Sequence, residues 1–173
     1  MLMKNLIFSV LLVLASLSIT SASTQPSTID TSGEVLLTSY LKAKDALVLG
    51  NVQEVNLQAN IFLTTLSKLD GAKLSKDSGL TFKKYKIALT NSGHALASAK
   101  DIIKQRTAFA PLSETFFQLI KQLQINTDTL YYQFCPMKKA YWLSTEEKIE
   151  NPYYGKQMMT CGKVTEILNP AGK

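Results

Sequence analysis

The sequence predicts a mainly α protein, an antiparallel four-helix bundle with a small C-terminal β-hairpin/loop appendage. Three observations predict it. Apolar residues recur at steps of three and four from Val35 to about residue 125, the period of a helix with one buried face. Turn formers cluster at Gly50-Asn51 and from Leu69 to Gly79. After Asn126 the texture changes to β-branched and aromatic residues, "TDTLYYQF".

The first segment reads as an address. Lys4 precedes an apolar run from Leu6 to Leu17, and Ser21, Ala22 and Ser23 follow it. That order predicts a signal peptide over residues 1–23 and an exported mature chain. The run is shorter than the ~20 residues of a comfortable membrane span. No second long run follows, so no transmembrane segment is expected after processing. Residues 24–32 are polar, contain Pro26 and read as a flexible lead-in. Residues 33–173 are expected to form one domain, with the bundle over 33–125 and the appendage over 126–170.

Within the bundle the first helix carries Val35, Leu36, Tyr40, Leu41, Leu47 and Val48 and ends at Gly50, because glycine accepts the left-handed geometry of a helix end. The second carries Val52, Val55, Ala59, Phe62, Leu66 and Leu69. A long stripe then runs through Phe82, Tyr85, Leu89, Ser92, Leu96, Ala99 and Ile103, and keeps phase through Arg106, Ala110, Ser113, Phe117, Ile120 and Gln124. One helix of that length cannot fold back on its partners. A turn is placed at Ser98–Asp101, with Asp101 as N-cap; a break at 107–110 is the alternative. Pro111 is then either a kink or a first turn. Arg106, on the inward stripe, is expected to be ion-paired or at an edge, and Ser113 to bond back to its own helix.

The appendage is expected to hold two strands, "TDTLYYQF" and "CGKVTEIL", around a structured excursion with turn formers at Asn151-Pro152 and Gly155. It also holds every sulfur of the mature chain: Cys135 and Cys161, with Met137, Met158 and Met159 within three residues of one or the other. If the strands bring the cysteines together, thiolates and thioethers converge. Soft ligands of this kind select Cu(I), with the Trp142 ring face as a cover for a bound cation. The competing expectation is a Cys135–Cys161 disulfide, usual for a cysteine pair in an exported protein and worth about 3–4 kcal/mol in the chain-entropy view.

Composition excludes several classes. Removal of residues 1–23 takes away Lys4 and no acid, so the net charge of +6 becomes +5. The lysines are scattered and Arg106 is the only arginine, which does not fit a nucleic-acid binder. His94 is the only histidine, which leaves little general-base chemistry. No phosphate-binding glycine loop, zinc-protease helix or haem-attachment motif is present, so no enzyme is expected. Glu146, Glu147 and Glu150 read as a solvated run.

The segments Cys135-Pro136-Met137, Tyr141-Trp142-Leu143-Ser144, Asn151-Pro152-Tyr153-Tyr154-Gly155, Met158 and Cys161-Gly162, with Arg106, Phe109, Leu112 and Ser113, resemble the bacterial family catalogued as domain of unknown function 3347. The resemblance implies exported metal handling, because such domains also occur joined to periplasmic adaptors of copper and heavy-metal efflux pumps. The expected function is therefore soft-metal, above all copper, binding in the periplasm. Cys135, Met137, Met158 and Cys161 would be ligands. Trp142, Asn151, Tyr153 and Gly155 would shape the site, and an efflux adaptor would be a partner. The alternative is a metal-free interaction module with a structural disulfide and exposed Trp142, Tyr153 and Tyr154. The chain departs from the short heavy-metal module with Cys-Pro-Met-His-Pro: Lys138 stands where that module has histidine, and a tetrahedral zinc site is not expected. Oligomeric state is not legible.

Overall fold

The computed structural model describes residues 28–71 and 75–170. The expected signal peptide lies outside the described residues. Four helices come first: α1 (Thr28–Leu49), α2 (Val52–Lys68), α3 (Lys76–Ser98) and α4 (Ile102–Leu123). Three strands follow, β1 (Leu130–Cys135), β2 (Ala140–Ser144) and β3 (Lys163–Leu168), with a short 3₁₀ turn at Gly155–Gln157. The protein is thus mainly helical, with a small antiparallel sheet at its C-terminal end.

The helix boundaries follow local chemistry. Gly50 takes φ +75° and stops α1. The Asn51, Ser75 and Asp101 side chains each accept an N–H of the helix they start, which satisfies donors that have no intrahelical partner. Asp101 is the N-cap of α4, and the chain turns between Ser98 and Ile102; the alternative break at 107–110 does not occur. α1 begins at Thr28, inside the expected lead-in, and α3 begins at Lys76, before the expected end of its connection. Pro111 is interior to α4. It faces solvent, where water serves the carbonyl that loses its partner.

The core is built mostly from the expected stripes. Val55, Ala59, Phe62 and Leu66 of α2 and Phe82, Leu89 and Leu96 of α3 are buried. In α4 the buried face is wider than the expected stripe. Ser113, Phe117 and Ile120 of the expected stripe are buried, and Gln105, Phe109, Leu112, Phe116 and Leu119 are buried beside them; Arg106 and Ala110 are half-buried, and Ile103 and Gln124 are exposed. Tyr40 of α1 lies between α4 rings, 5.2 Å from Phe109 and 5.0 Å from Phe116. Helices adjacent in sequence make the main bundle contacts, and the sheet docks on α4 through β2.

The sheet corrects one expectation. It has three strands, in the order β2-β1-β3. The segment Ala140–Ser144, expected inside an excursion, is a strand that pairs with β1 from Tyr131↔Ser144 to Cys135↔Ala140. Residues 136–139 form the tight turn between them, with Lys139 at φ +54°. "AYWLS" forms a strand because its aromatic and branched side chains cover both faces. Tyr132, stacked on Tyr141, meets Phe117 of α4 at 3.6 Å. On the other face Gln133 and Trp142 are opposite one another. That face is covered by the excursion: Gln133 Nε2 donates to the carbonyls of Glu146 (2.8 Å) and Glu147 (3.1 Å).

Candidate functional site: a sulfur pair at the end of the sheet

Cys135 ends the central strand and Cys161 ends the excursion, just before β3. Their Sγ atoms are 4.0 Å apart, and both thiols are free. The expected convergence is therefore present, without the disulfide bond. A covalent S–S bond needs about 2.05 Å.

Each sulfur faces a backbone donor from the 136–139 turn. The Lys138 N–H donates to Cys135 Sγ at 3.4 Å, and the Met137 N–H is directed at Cys161. At Cys161 the Met137 donor favours the thiolate. Opposing it, loss of water contact pushes the thiol above its ordinary pKa, and the neighbouring Cys135 sulfur adds to the rise. A raised pKa makes Cys161 a poor nucleophile at neutral pH. It also means that any ion bound there must displace a proton.

Met137 and Met158 stand on the two turns that flank the sulfurs, 63% and 37% exposed. The Met158 carbonyl accepts the Cys161 N–H at 3.1 Å. His94 is exposed on α3. Among the described residues no group of three or more His, Cys, Asp or Glu side chains is placed to hold a metal; the two cysteine sulfurs are brought together.

The expected site-shaping residues occupy one loop, apart from Trp142. Asn151 organises it. Its Nδ2 donates to the Cys161 carbonyl at 2.6 Å, and its Oδ1 accepts from the Tyr153 N–H at 2.8 Å and the Tyr154 N–H at 3.3 Å. Its own N–H donates to the Met159 carbonyl at 2.8 Å. Tyr153 is buried and donates its hydroxyl to the Tyr141 carbonyl. Trp142 lies beside the turn that carries Cys161. It is fully buried, edge-on to Tyr153 at 6.0 Å, with its ring against Gly162. β-strand alternation turns this residue to the covered face.

Two bundle residues tie the appendage to the helices, Arg106 through the loop and Ser113, by way of Tyr40, through β2. Arg106 sits half-buried at the bundle edge and, among the described residues, its guanidinium bonds carbonyls rather than a carboxylate. Its Nε donates to the Pro152 carbonyl at 2.9 Å and its Nη2 to the Leu47 carbonyl at 3.0 Å. Burial lowers its pKa, but a guanidinium stays charged. Ser113 meets Tyr40 across the core: their hydroxyls are 2.5 Å apart, and the Tyr40 hydroxyl accepts the Leu143 N–H of β2 at 2.9 Å. The signal for Arg106 was its solitary cationic position on an inward stripe. No local pattern reveals the Tyr40 bridge, which joins residues far apart in sequence.

The model of the family described as protein of unknown function (DUF3347) matches residues 36–128. The chain belongs to this family. The DUF3347 match takes in most of α1 and all of α2, α3 and α4, and stops before β1. Arg106, Phe109, Leu112 and Ser113 fall inside it; the Cys-Pro-Met and Asn-Pro-Tyr-Tyr-Gly segments fall outside. Three of those matched residues nevertheless serve the appendage: Arg106 holds Pro152, Phe109 lies 6.0 Å from the Tyr153 ring, and Ser113 bonds Tyr40. The comparisons with curated proteins and with solved structures returned no match. No helix among the described residues is long and apolar enough to cross a membrane.

Proposed function

We propose that this DUF3347 chain is an exported binding protein for a soft cation, Cu(I) above all, working in metal efflux or resistance. The carrying observation is the 4.0 Å approach of the Cys135 and Cys161 sulfurs. Two sulfurs each about 2.3 Å from a shared ion lie about 3.8 Å apart in a tetrahedral arrangement and about 4.6 Å apart in a linear one. The observed spacing falls between these limits without movement of the backbone. Thiolate with thioether is the donor set that favours Cu(I) over harder ions, and Met137 or Met158 would complete it. The ion is cargo on this reading, and its partner is an efflux adaptor that receives or delivers it.

The metal-free reading needed exposed aromatic anchors. Trp142 and Tyr153 are buried, so that surface has lost its main elements.

The test is a Cu(I) titration of the reduced protein against a competing chelator. One tightly held ion per chain is expected. Cys135→Ser/Cys161→Ser should abolish it, and Met137→Leu or Met158→Leu should weaken it. Binding no tighter than that of the double serine variant would end the proposal.

A further inference from the structure

Cys135 and Cys161 are held by different means. Cys135 belongs to the central strand and pairs with Ala140. Cys161 lies outside any strand, on a turn tied to Asn151 through the Cys161 carbonyl and the Met159 carbonyl. Asn151 is followed by Pro152, and Pro152 is where the bundle takes hold. We propose that Arg106 is the positioning residue of the sulfur pair, setting the Cys135–Cys161 separation by clamping the Asn151–Gly155 loop to the end of α1.

The clamp is specific to this side chain. The guanidinium spans two carbonyls at once, Pro152 in the loop and Leu47 in α1. Lysine offers a compact ammonium without a planar fork and cannot match two separated carbonyls in the same way. The last turn of α1 has no basic residue of its own, so Arg106 supplies from α4 the cation that a helix C-terminus favours. Gly155 closes the clamp. Its φ is +55°, and a β-carbon there would come within 2.5 Å of Arg106 Nη2 and 2.6 Å of the Val48 carbonyl. The path runs from the α1 terminus through Arg106, Pro152 and Asn151 to Cys161 by consecutive short hydrogen bonds and one peptide link. It makes the spacing of two sulfurs in the appendage depend on a residue of the family-matched bundle.

The inference uses the same sulfur pair as the proposed function but does not require copper. Its test is a thiol–disulfide equilibrium. The protein dithiol reacts with oxidised glutathione: the two cysteine sulfurs form a bond, the glutathione disulfide breaks, and two reduced glutathiones carry away the electrons and protons. The equilibrium constant reads the effective concentration of one cysteine at the other. Arg106→Lys and Arg106→Gln are expected to lower it at least about tenfold, since loosening a loop by ångströms has effects of this size or larger. Gly155→Ala, which displaces the fork from the loop side, should do the same. Leu66→Val trims the core in α2, which packs on the other helices; it should lower the melting temperature and leave the constant unchanged. Equal constants for wild type and the Arg106 variants would overturn the proposal. So would an equal fall in Leu66→Val, or loss of folding in all three clamp variants, which would assign the clamp to the fold alone. A wild type that ignores Cu(I) while Arg106→Lys loosens the thiols would remove the copper reading and leave the clamp.

Discussion

At Cys161 two influences act on one thiol. Reduced hydration and the Cys135 sulfur favour the protonated form, and the Met137 N–H favours the thiolate; the first pair prevails. A raised thiol pKa has a direct kinetic readout. Alkylation at Cys161 by iodoacetamide, followed by peptide mass spectrometry, should keep accelerating above pH ~8.5, where an ordinary thiol begins to level off. A rate that is already flat at that pH would contradict the environment described. Under the proposed function the same protonation would govern the bound ion. Each thiol must lose its proton to bind an ion, so apparent Cu(I) affinity should fall as pH is lowered from about 8 to 6. The cysteines were legible at this scale because they are two, and Met137, Met158 and Met159 stand within three residues of one or the other. The burial of Trp142 was not legible, because its face of the strand depends on β2, and β2 was not recognised.

Among the elements, the junction between bundle and sheet rests on Tyr40. Its hydroxyl bonds Ser113 of α4 and accepts the Leu143 N–H of β2, while its ring packs on Phe109 and Phe116. Tyr40→Phe keeps the ring and removes the oxygen. It leaves the Leu143 N–H buried without that acceptor, a cost of about 1–3 kcal/mol, measurable as a lower denaturation midpoint at unchanged slope. An unchanged midpoint would show that this bridge contributes nothing. The helices were readable because their punctuation is chemical: Gly50 ends one, and Asn51 and Asp101 cap others. The full width of the buried face of α4 was not, since Phe109 and Phe116 are covered by Tyr40 of α1, a contact that no local period reveals. β2 escaped notice because five residues between a turn and a loop carry too little period-two pattern.

The whole molecule buries three tyrosines whose pKa values rise, chiefly through loss of hydration: Tyr40, Tyr132 and Tyr153. In the unfolded chain each titrates near pH ~10. Above that pH the unfolded state releases protons that the native state retains, so the native state binds more protons and stability falls as pH rises. Equilibrium unfolding should therefore show stability undiminished by these groups below pH ~10 and a steepening loss above it. Tyr40→Phe should make that loss shallower. A profile with equal steepness in wild type and variant would contradict the burial of this hydroxyl. At this scale the arrangement of bundle, sheet and excursion was only partly readable. The ties that set it, Arg106 to Pro152 and Tyr40 to Leu143, link segments that no local period connects.

The claim that Cys135 and Cys161 jointly hold a soft ion is tested most directly by X-ray absorption at the copper edge of the Cu(I)-loaded chain. The account predicts two or three sulfur neighbours at about 2.3 Å, lost in Cys135→Ser/Cys161→Ser. A spectrum dominated by nitrogen or oxygen neighbours, or one that the double variant reproduces, would contradict it.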